Sequence, residues 1–249
     1  MYICDALYYA LLLIVVEKKK RVKMISVADE ISNAALSLFH SLPAKGKPTL
    51  NQLSEFTVLA AIVAVVCSSD GCRTFAVSVA TGTKCIGNDE LNKNSSGCLL
   101  HDSHAEVLAR RGFHAYLLNC IRFLAEFRSD NNCADNGPDD NLCALKWDVS
   151  SQSALLKPGW KFYLYSSDSP CGSSSIYSVQ SFNLSTPHVI NSTGAKPIQS
   201  TVSHSQDTSY NPEELRTKSG RSDILASHRT TSMSCSDKIC RWIHLGLQG

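Results

Sequence analysis

His101-Asp-Ser-His104-Ala-Glu106-Val-Leu-Ala-Arg110-Arg111-Gly-Phe113 (HDSHAEVLARRGF) is the stretch from which the chain is best read. Val107, Leu108, Leu117, Ile121 and Leu124 recur near one face of a 3.6-residue period, which predicts a helix over Ser103–Phe127. Asp102 or Ser103 has the side chain to cap its start. His104 and Glu106 therefore sit at a helix N-terminus, where partial positive charge favours anions. A histidine there is a candidate metal ligand. A glutamate two residues on does not share that metal edge easily, but it can reach a water at the metal, where a proton carrier has to sit.

A metal needs more than one ligand, and two further segments offer thiols. Trp160–Ser166 reads as a strand, and Pro170-Cys171-Gly172 follows it. Cys235 lies in TSMSCSDKICRW. One imidazole and two thiolates leave the fourth position of a tetrahedral zinc open, the arrangement of a catalytic rather than a structural site. The zinc deaminase signature pairs H-x-E with P-C-x-x-C. Only the first half is intact here: Ser174 stands where the second cysteine belongs, and Cys235 is the next candidate.

Further out, Ala28–Leu42 carries apolar residues near helical spacing and ends at Pro43. Phe56–Val66 is almost wholly apolar and suits a buried helix or strand, and Arg73–Ala80 reads as a strand. Ser129–Ser153 is polar and reads as a loop or insertion. Tyr177–Thr230 is long, rich in Ser, Thr, Asn and Pro, and reads as a mobile insertion. Residues 1–23 look foreign to the rest: Ala6–Val16 is apolar, and Lys18, Lys19, Lys20, Arg21 and Lys23 follow. They read as an atypical apolar and basic extension, with a nuclear-type or RNA-contacting basic patch and a membrane anchor as alternatives. Residues 24–249 then form the functional domain, with insertions near 129–153 and 177–230.

Composition narrows the class. Hydrophobic residues make up 43% of the 249 and charged residues 18%, enough to bury a core and too apolar for wholesale disorder. Lys+Arg 24 against Asp+Glu 22 gives a net charge of +2, which excludes a histone-like polyanion binder but permits a local basic groove. No apolar run reaches the roughly 18 residues that span a bilayer. The cysteine count, 11, is odd, and no C-x-x-C pair occurs. That pattern suits mostly free thiols in a reducing compartment, with Cys67, Cys72, Cys85, Cys98, Cys120 and Cys240 as small core or surface thiols. His101, His114 and His244 read as surface or satisfied histidines.

Four segments, ATGTKCIG, HDSHAEVLARRGF, SSDSPCG and SMSCSDKICRW, closely resemble the core motifs of the adenosine-to-inosine RNA editase domain. Among its members the chain looks most like the eukaryotic tRNA-specific adenosine deaminases. The resemblance implies an α/β, cytidine-deaminase-like three-layer fold, with a central sheet flanked by helices and zinc between two helix N-termini, both His104 and Cys171 opening helices. It implies that the domain is incomplete at the C-terminus. It makes His104, Cys171 and Cys235 the zinc ligands, the third coming from SCSDK, and Glu106 the proton shuttle. Thr83 and Lys84 are then expected at the RNA ribose and phosphate. Arg110, Arg111, Lys238, Arg241 and Trp242 are expected to line inositol hexakisphosphate. Without the resemblance, these charged residues read as solvated helix faces. Ser173 stands where the family usually has Asp.

The activity implied is zinc-dependent hydrolytic deamination of adenosine to inosine in tRNA. The alternatives are a catalytically impaired RNA-binding remnant of the same family and, from another class, a deaminase of free nucleosides. tRNA is the expected partner, with no membrane and no obligate protein partner, in the nucleus and/or cytoplasm.

Overall fold

A computed structural model of the chain describes residues 18–44, 47, 56–94, 97–130, 142–178, 189–191, 196–197, 214–218, 225 and 228–247. In chain order these hold α1 (Lys18–Ser41), β1 (Leu59–Ser68), β2 (Gly71–Thr81), β3 (Thr83–Cys85), α2 (Asn88–Lys93), β4 (Asp102–His104), α3 (Ala105–Asp130), β5 (Leu145–Asp148), β6 (Ser153–Leu156), β7 (Trp160–Ser166), β8 (Ile176–Ser178), β9 (Val189–Asn191), β10 (Lys196–Pro197), β11 (Arg216–Thr217) and α4 (Cys235–Leu245).

β1 explains the architecture. Its sequence, LAAIVAVVCS, is apolar over Leu59–Val66, and Leu59–Val65 are buried because both faces are covered there. It is the middle strand of an antiparallel sheet ordered β2-β1-β7. Successive residues of a strand point to opposite faces. Ala61, Val63 and Val65 meet Ile31 and Ala35 of α1. Ala60 meets Ala105 and Ala109 of α3 on the other side. The alanines matter because a small side chain lets the helix backbone approach the sheet. At Gly112 an added Cβ would lie 2.9 Å from the Ser78 Cβ, and the Ser78 hydroxyl donates to the Ala109 carbonyl at 2.8 Å. Phe75, Phe113, Tyr116, Trp160 and Phe162 form an aromatic cluster farther along. The described chain is thus a mixed α/β domain with antiparallel pairing and one long helix on each face of its main sheet.

Several expectations are revised. α1 begins at Lys18, inside the stretch expected to be an extension; residues 1–17 lie outside the described residues. Phe56–Val66 resolves to a strand, since β-branched residues bounded by a tight turn favour one. Asp102 and Ser103 do not cap α3 but belong to β4. The segment read as a loop over Ser129–Ser153 holds β5, paired with β6. Cys143 and Leu145 bury against Cys120 and Leu124 of α3, and that tertiary packing outweighs the polar composition. Within Tyr177–Thr230, much of which lies outside the described residues, short pairs β8–β9 and β10–β11 form.

The cysteine reading also changes. Cys67 and Cys72 are bonded to each other. They face one another across the β1–β2 hairpin with Cα atoms 4.1 Å apart. The pairing follows from where the turn falls, which cysteine spacing alone does not reveal.

Candidate metal centre

His104 is placed by backbone pairing. It ends β4 opposite Thr83 of β3, and the next residue begins α3. Gly82 makes this possible: with φ of +149°, it lies so close to β4 that a Cβ would sit 2.1 Å from the Ser103 carbonyl oxygen. The Gly82 N–H donates to Val58 and its carbonyl accepts from Ala105, so β2, β4 and α3 are tied at one point.

Cys171 comes after β7 and Cys235 opens α4. Ser234 caps α4, its hydroxyl accepting from the Asp237 N–H at 3.1 Å. Gly172, at φ +110°, lets the Cys171 loop reach this helix end, since a Cβ there would meet the Ser234 Oγ at 2.4 Å. The Ser236 N–H donates to the Cys171 carbonyl, and the Ser236 hydroxyl donates to it as well. The helices that converge here are α3 and α4. Cys171 opens only a single 3₁₀ turn, Ser173–Ser175, which corrects the expectation of a helix after it.

The three side chains come together. The His104 Nδ1 lies 3.8 Å from the Cys171 Sγ and 3.6 Å from the Cys235 Sγ. Their ligand atoms all fall within 4.8 Å of one another. The Cys235 N–H points at the Cys171 Sγ at 3.3 Å. A hydrogen bond from Cys235 holds the Cys171 thiol down at about 4 against the cost of its burial, with His104 adding to the effect. The same contact, together with burial, pushes the Cys235 thiol up. A thiolate and a thiol sharing one proton beside an imidazole are a donor set suited to a thiophilic cation, which would displace that proton.

Glu106 is 2% exposed, and its Oε2 is a buried oxygen with no hydrogen-bond partner among the described residues. Its charge adds to the causes that push the Cys235 thiol up. An unpartnered buried carboxylate oxygen is costly unless something binds it.

Beneath the trio lies a buried ionic cluster. Asp102 accepts from the Lys218 Nζ at 2.7 Å, from the Ser232 hydroxyl at 2.7 Å and from the Lys238 Nζ. Its other oxygen takes the His104 N–H at 3.0 Å. Burial would raise the Asp102 carboxyl, but the Lys218 and Lys238 contacts overcome it and hold the group well below the usual carboxylate range. Cys85, opposite Asp102 in the β3–β4 pairing, is pushed up to about 12 by burial and by the Asp102 charge. It therefore stays a neutral thiol. Although Cys85, Asp102 and His104 also cluster, the lysines already occupy the Asp102 carboxylate.

The remaining expected residues are dispersed around this centre. Thr83 and Lys84 are exposed on β3, next to His104. The Arg110 guanidinium lies 5.2 Å from the Trp242 ring, and its Nε donates to the Leu247 carbonyl at 2.8 Å. Burial and then the neighbouring Arg241 lower its pKa, as expected where two cations face each other. Arg111 and Arg241 are exposed. Lys238, one turn before Arg241 on α4, points its Nζ to Asp102.

Residues 78–249 match the adenosine-deaminase (editase) domain family. The chain belongs to that family. It is 37% identical over 229 residues to the tRNA-specific adenosine deaminase 1 of Drosophila melanogaster, covering 88% of this chain and 50% of that protein. It is 36% identical over 166 residues to the tRNA-specific adenosine deaminase 1 of Homo sapiens, covering 62% of this chain and 30% of that protein. The Drosophila double-stranded RNA-specific editase Adar is 29% identical, covering 89% of this chain and 30% of that protein. The editase-domain chain spans half or less of the length of these relatives.

Sequence reading of this editase domain missed Asp102, Lys218 and Ser232. Asp102 stands two residues before His104, where its sequence position suggests a helix cap rather than an ionic partner. Lys218 is 7% exposed within a stretch whose polar composition suggested a mobile insertion. Its burial depends on an anion 116 positions earlier, which no local pattern announces.

Proposed function

We propose that this chain carries the metal centre and the proton-carrying glutamate for hydrolytic deamination of adenosine to inosine in tRNA. The observation that carries the reading is the His104–Cys171–Cys235 donor set, with the buried, unpartnered Glu106 Oε2 in the first turn of the helix that follows His104. Family membership and the tRNA-specific relatives support it. His104, Cys171 and Cys235 would hold zinc, and two sulfurs and one nitrogen with an open fourth position fit that ion. Zinc bound there supplies a Lewis acid that activates water toward C6 of adenine.

The chain's own residues do the rest. Glu106 would take a proton from the attacking water and give it to adenine N1, where inosine keeps it, then carry the second proton of that water to the amine, which leaves as ammonia; its burial keeps these protons from bulk water. Asp102 fixes the backbone at His104 and so orients the imidazole. The N-terminus of α4 favours thiolate at Cys235 once a cation takes its proton. Thr83 and Lys84, exposed beside His104, would meet the ribose and phosphate of the target nucleotide. Arg110, Arg241 and Trp242 would hold a polyanion such as inositol hexakisphosphate: two cations this close favour an anion between them, and Arg111 and Lys238 would add charge. Localisation in the nucleus and/or cytoplasm is part of the same reading.

The test is inosine formation in bulk tRNA by the purified chain with zinc and inositol hexakisphosphate supplied. Inosine with the native chain and none with Glu106→Gln is the expected result. A zinc-loaded chain that binds tRNA but leaves every adenosine intact would instead favour the RNA-binding remnant.

A further inference from the structure

The first N–H groups of a helix have no partner inside it, and α4 gives two of them to one residue. The Ser234 N–H goes to the Arg216 carbonyl at 2.8 Å, and the Asp237 N–H goes to the Ser234 hydroxyl at 3.1 Å. The Cys235 N–H points at the Cys171 Sγ at 3.3 Å, and the Ser236 N–H donates to the Cys171 carbonyl at 2.9 Å. The Ser236 side chain, on a residue 5% exposed, extends this contact. Its Oγ lies 3.0 Å from the Cys171 carbonyl and 3.2 Å from that of Pro170. It accepts from the Ser174 N–H at 3.1 Å and lies 2.7 Å from the Ser174 hydroxyl, which itself donates to the Pro170 carbonyl at 2.6 Å. Residues 170, 171 and 174 therefore all meet one oxygen at the start of α4.

Ser174 is the position at which the P-C-x-x-C signature has its second thiol. In that signature a short piece of covalent chain fixes the spacing of the two sulfurs. Here the two cysteines are 64 positions apart, so noncovalent contacts set the spacing. We propose that Ser236 is a positioning residue of the metal centre: its hydroxyl, bridged to Ser174, holds the Cys171 segment on α4 at the separation a tetrahedral cation requires. The inference deepens the zinc reading above and rests on it. Such a residue acts on the metal through the ligand it orients.

Metal binding, rather than turnover, tests it. Zinc affinity is measured on the full chain by competition with a chromophoric chelator, and thiolate ligation by the charge-transfer absorption of the cobalt-loaded chain. Ser236→Ala should bind zinc about 10- to 100-fold more weakly and lose charge-transfer intensity. Ser174→Ala, which removes one hydroxyl of the bridge and keeps the Ser174 N–H, should lose less. The double variant should bind no worse than Ser236→Ala, because the two hydroxyls act as one unit. Ser78→Ala removes a comparably buried hydroxyl, one bonded to the Ala109 carbonyl, and separates positioning from loss of stability. It should lower the Tm and leave zinc affinity and the cobalt spectrum unchanged. If Ser236→Ala fails to fold, Ser174→Ala decides. Native zinc affinity in the deciding variant, an equal loss in Ser78→Ala, or additive losses in the double variant would overturn the proposal alone. A native chain that takes up no zinc would overturn the metal reading, and the proposal with it.

Discussion

At the scale of single residues, Glu106 and Asp102 are both buried carboxylates, and their surroundings separate their roles. Glu106 has an oxygen with no partner among the described residues, whereas Asp102 is held by two lysines, a serine and a backbone N–H. In the proposed reading the first would carry the proton; the second is tied into the ionic cluster. Glu106→Gln keeps the shape but cannot carry the proton, so turnover should fall by about 10² to 10⁴ with tRNA affinity unchanged. Single-turnover kinetics beside a binding titration would check this. Asp102→Asn strands the Lys218 ammonium, 3% exposed, without its counter-charge. Breaking a buried pair from one side costs about 3 to 5 kcal/mol. Urea unfolding should show a loss of that order, and a loss below about 1 kcal/mol would mean that water replaces the pairing.

At the scale of elements, what the sequence made legible follows a simple rule. Where an element is buried by its own periodic residues, it could be read: α3 from its apolar face and β7 from its aromatic alternation; the apolar run of β1 announced burial but suited a helix as well as a strand. Where burial is conferred by a distant partner, it could not. The β5–β6 hairpin is held by Cys120 and Leu124 of α3, and Lys218 by Asp102. The proximity of His104, Cys171 and Cys235 was legible only through the family motifs, which joined them across 131 residues. Two element-scale outcomes follow. Gly112→Ala gains helix propensity of about 1 kcal/mol but drives a methyl into the Ser78 Cβ at 2.9 Å, and overpacking costs about 1 to 3 kcal/mol. The net result should be a lower Tm, and a raised Tm would show that α3 can shift. Reducing Cys67–Cys72, which closes a short loop, should remove about 2 kcal/mol. Differential scanning calorimetry with and without dithiothreitol, and on Cys67→Ser, should give the same drop in Tm by both routes.

At the scale of the whole molecule, one end of the sheet collects the chemistry. Gly82 ties β2 to β4 and α3, Gly172 brings the segment after β7 to α4, and both junctions deliver a candidate ligand to the same point. In the proposed reading, three chain segments far apart in sequence would share one cation, and each would lose its anchor without it. A cation bound only by the folded state stabilises that state by mass action, so chelation should lower the Tm and restoring zinc should raise it. Among the described residues, no helix is long and apolar enough to cross a membrane. Metal analysis of the purified chain by inductively coupled plasma mass spectrometry, native and as Cys235→Ser, bears most directly on this arrangement. The account predicts one zinc per native chain and almost none in the variant; zinc content unchanged in Cys235→Ser would contradict it.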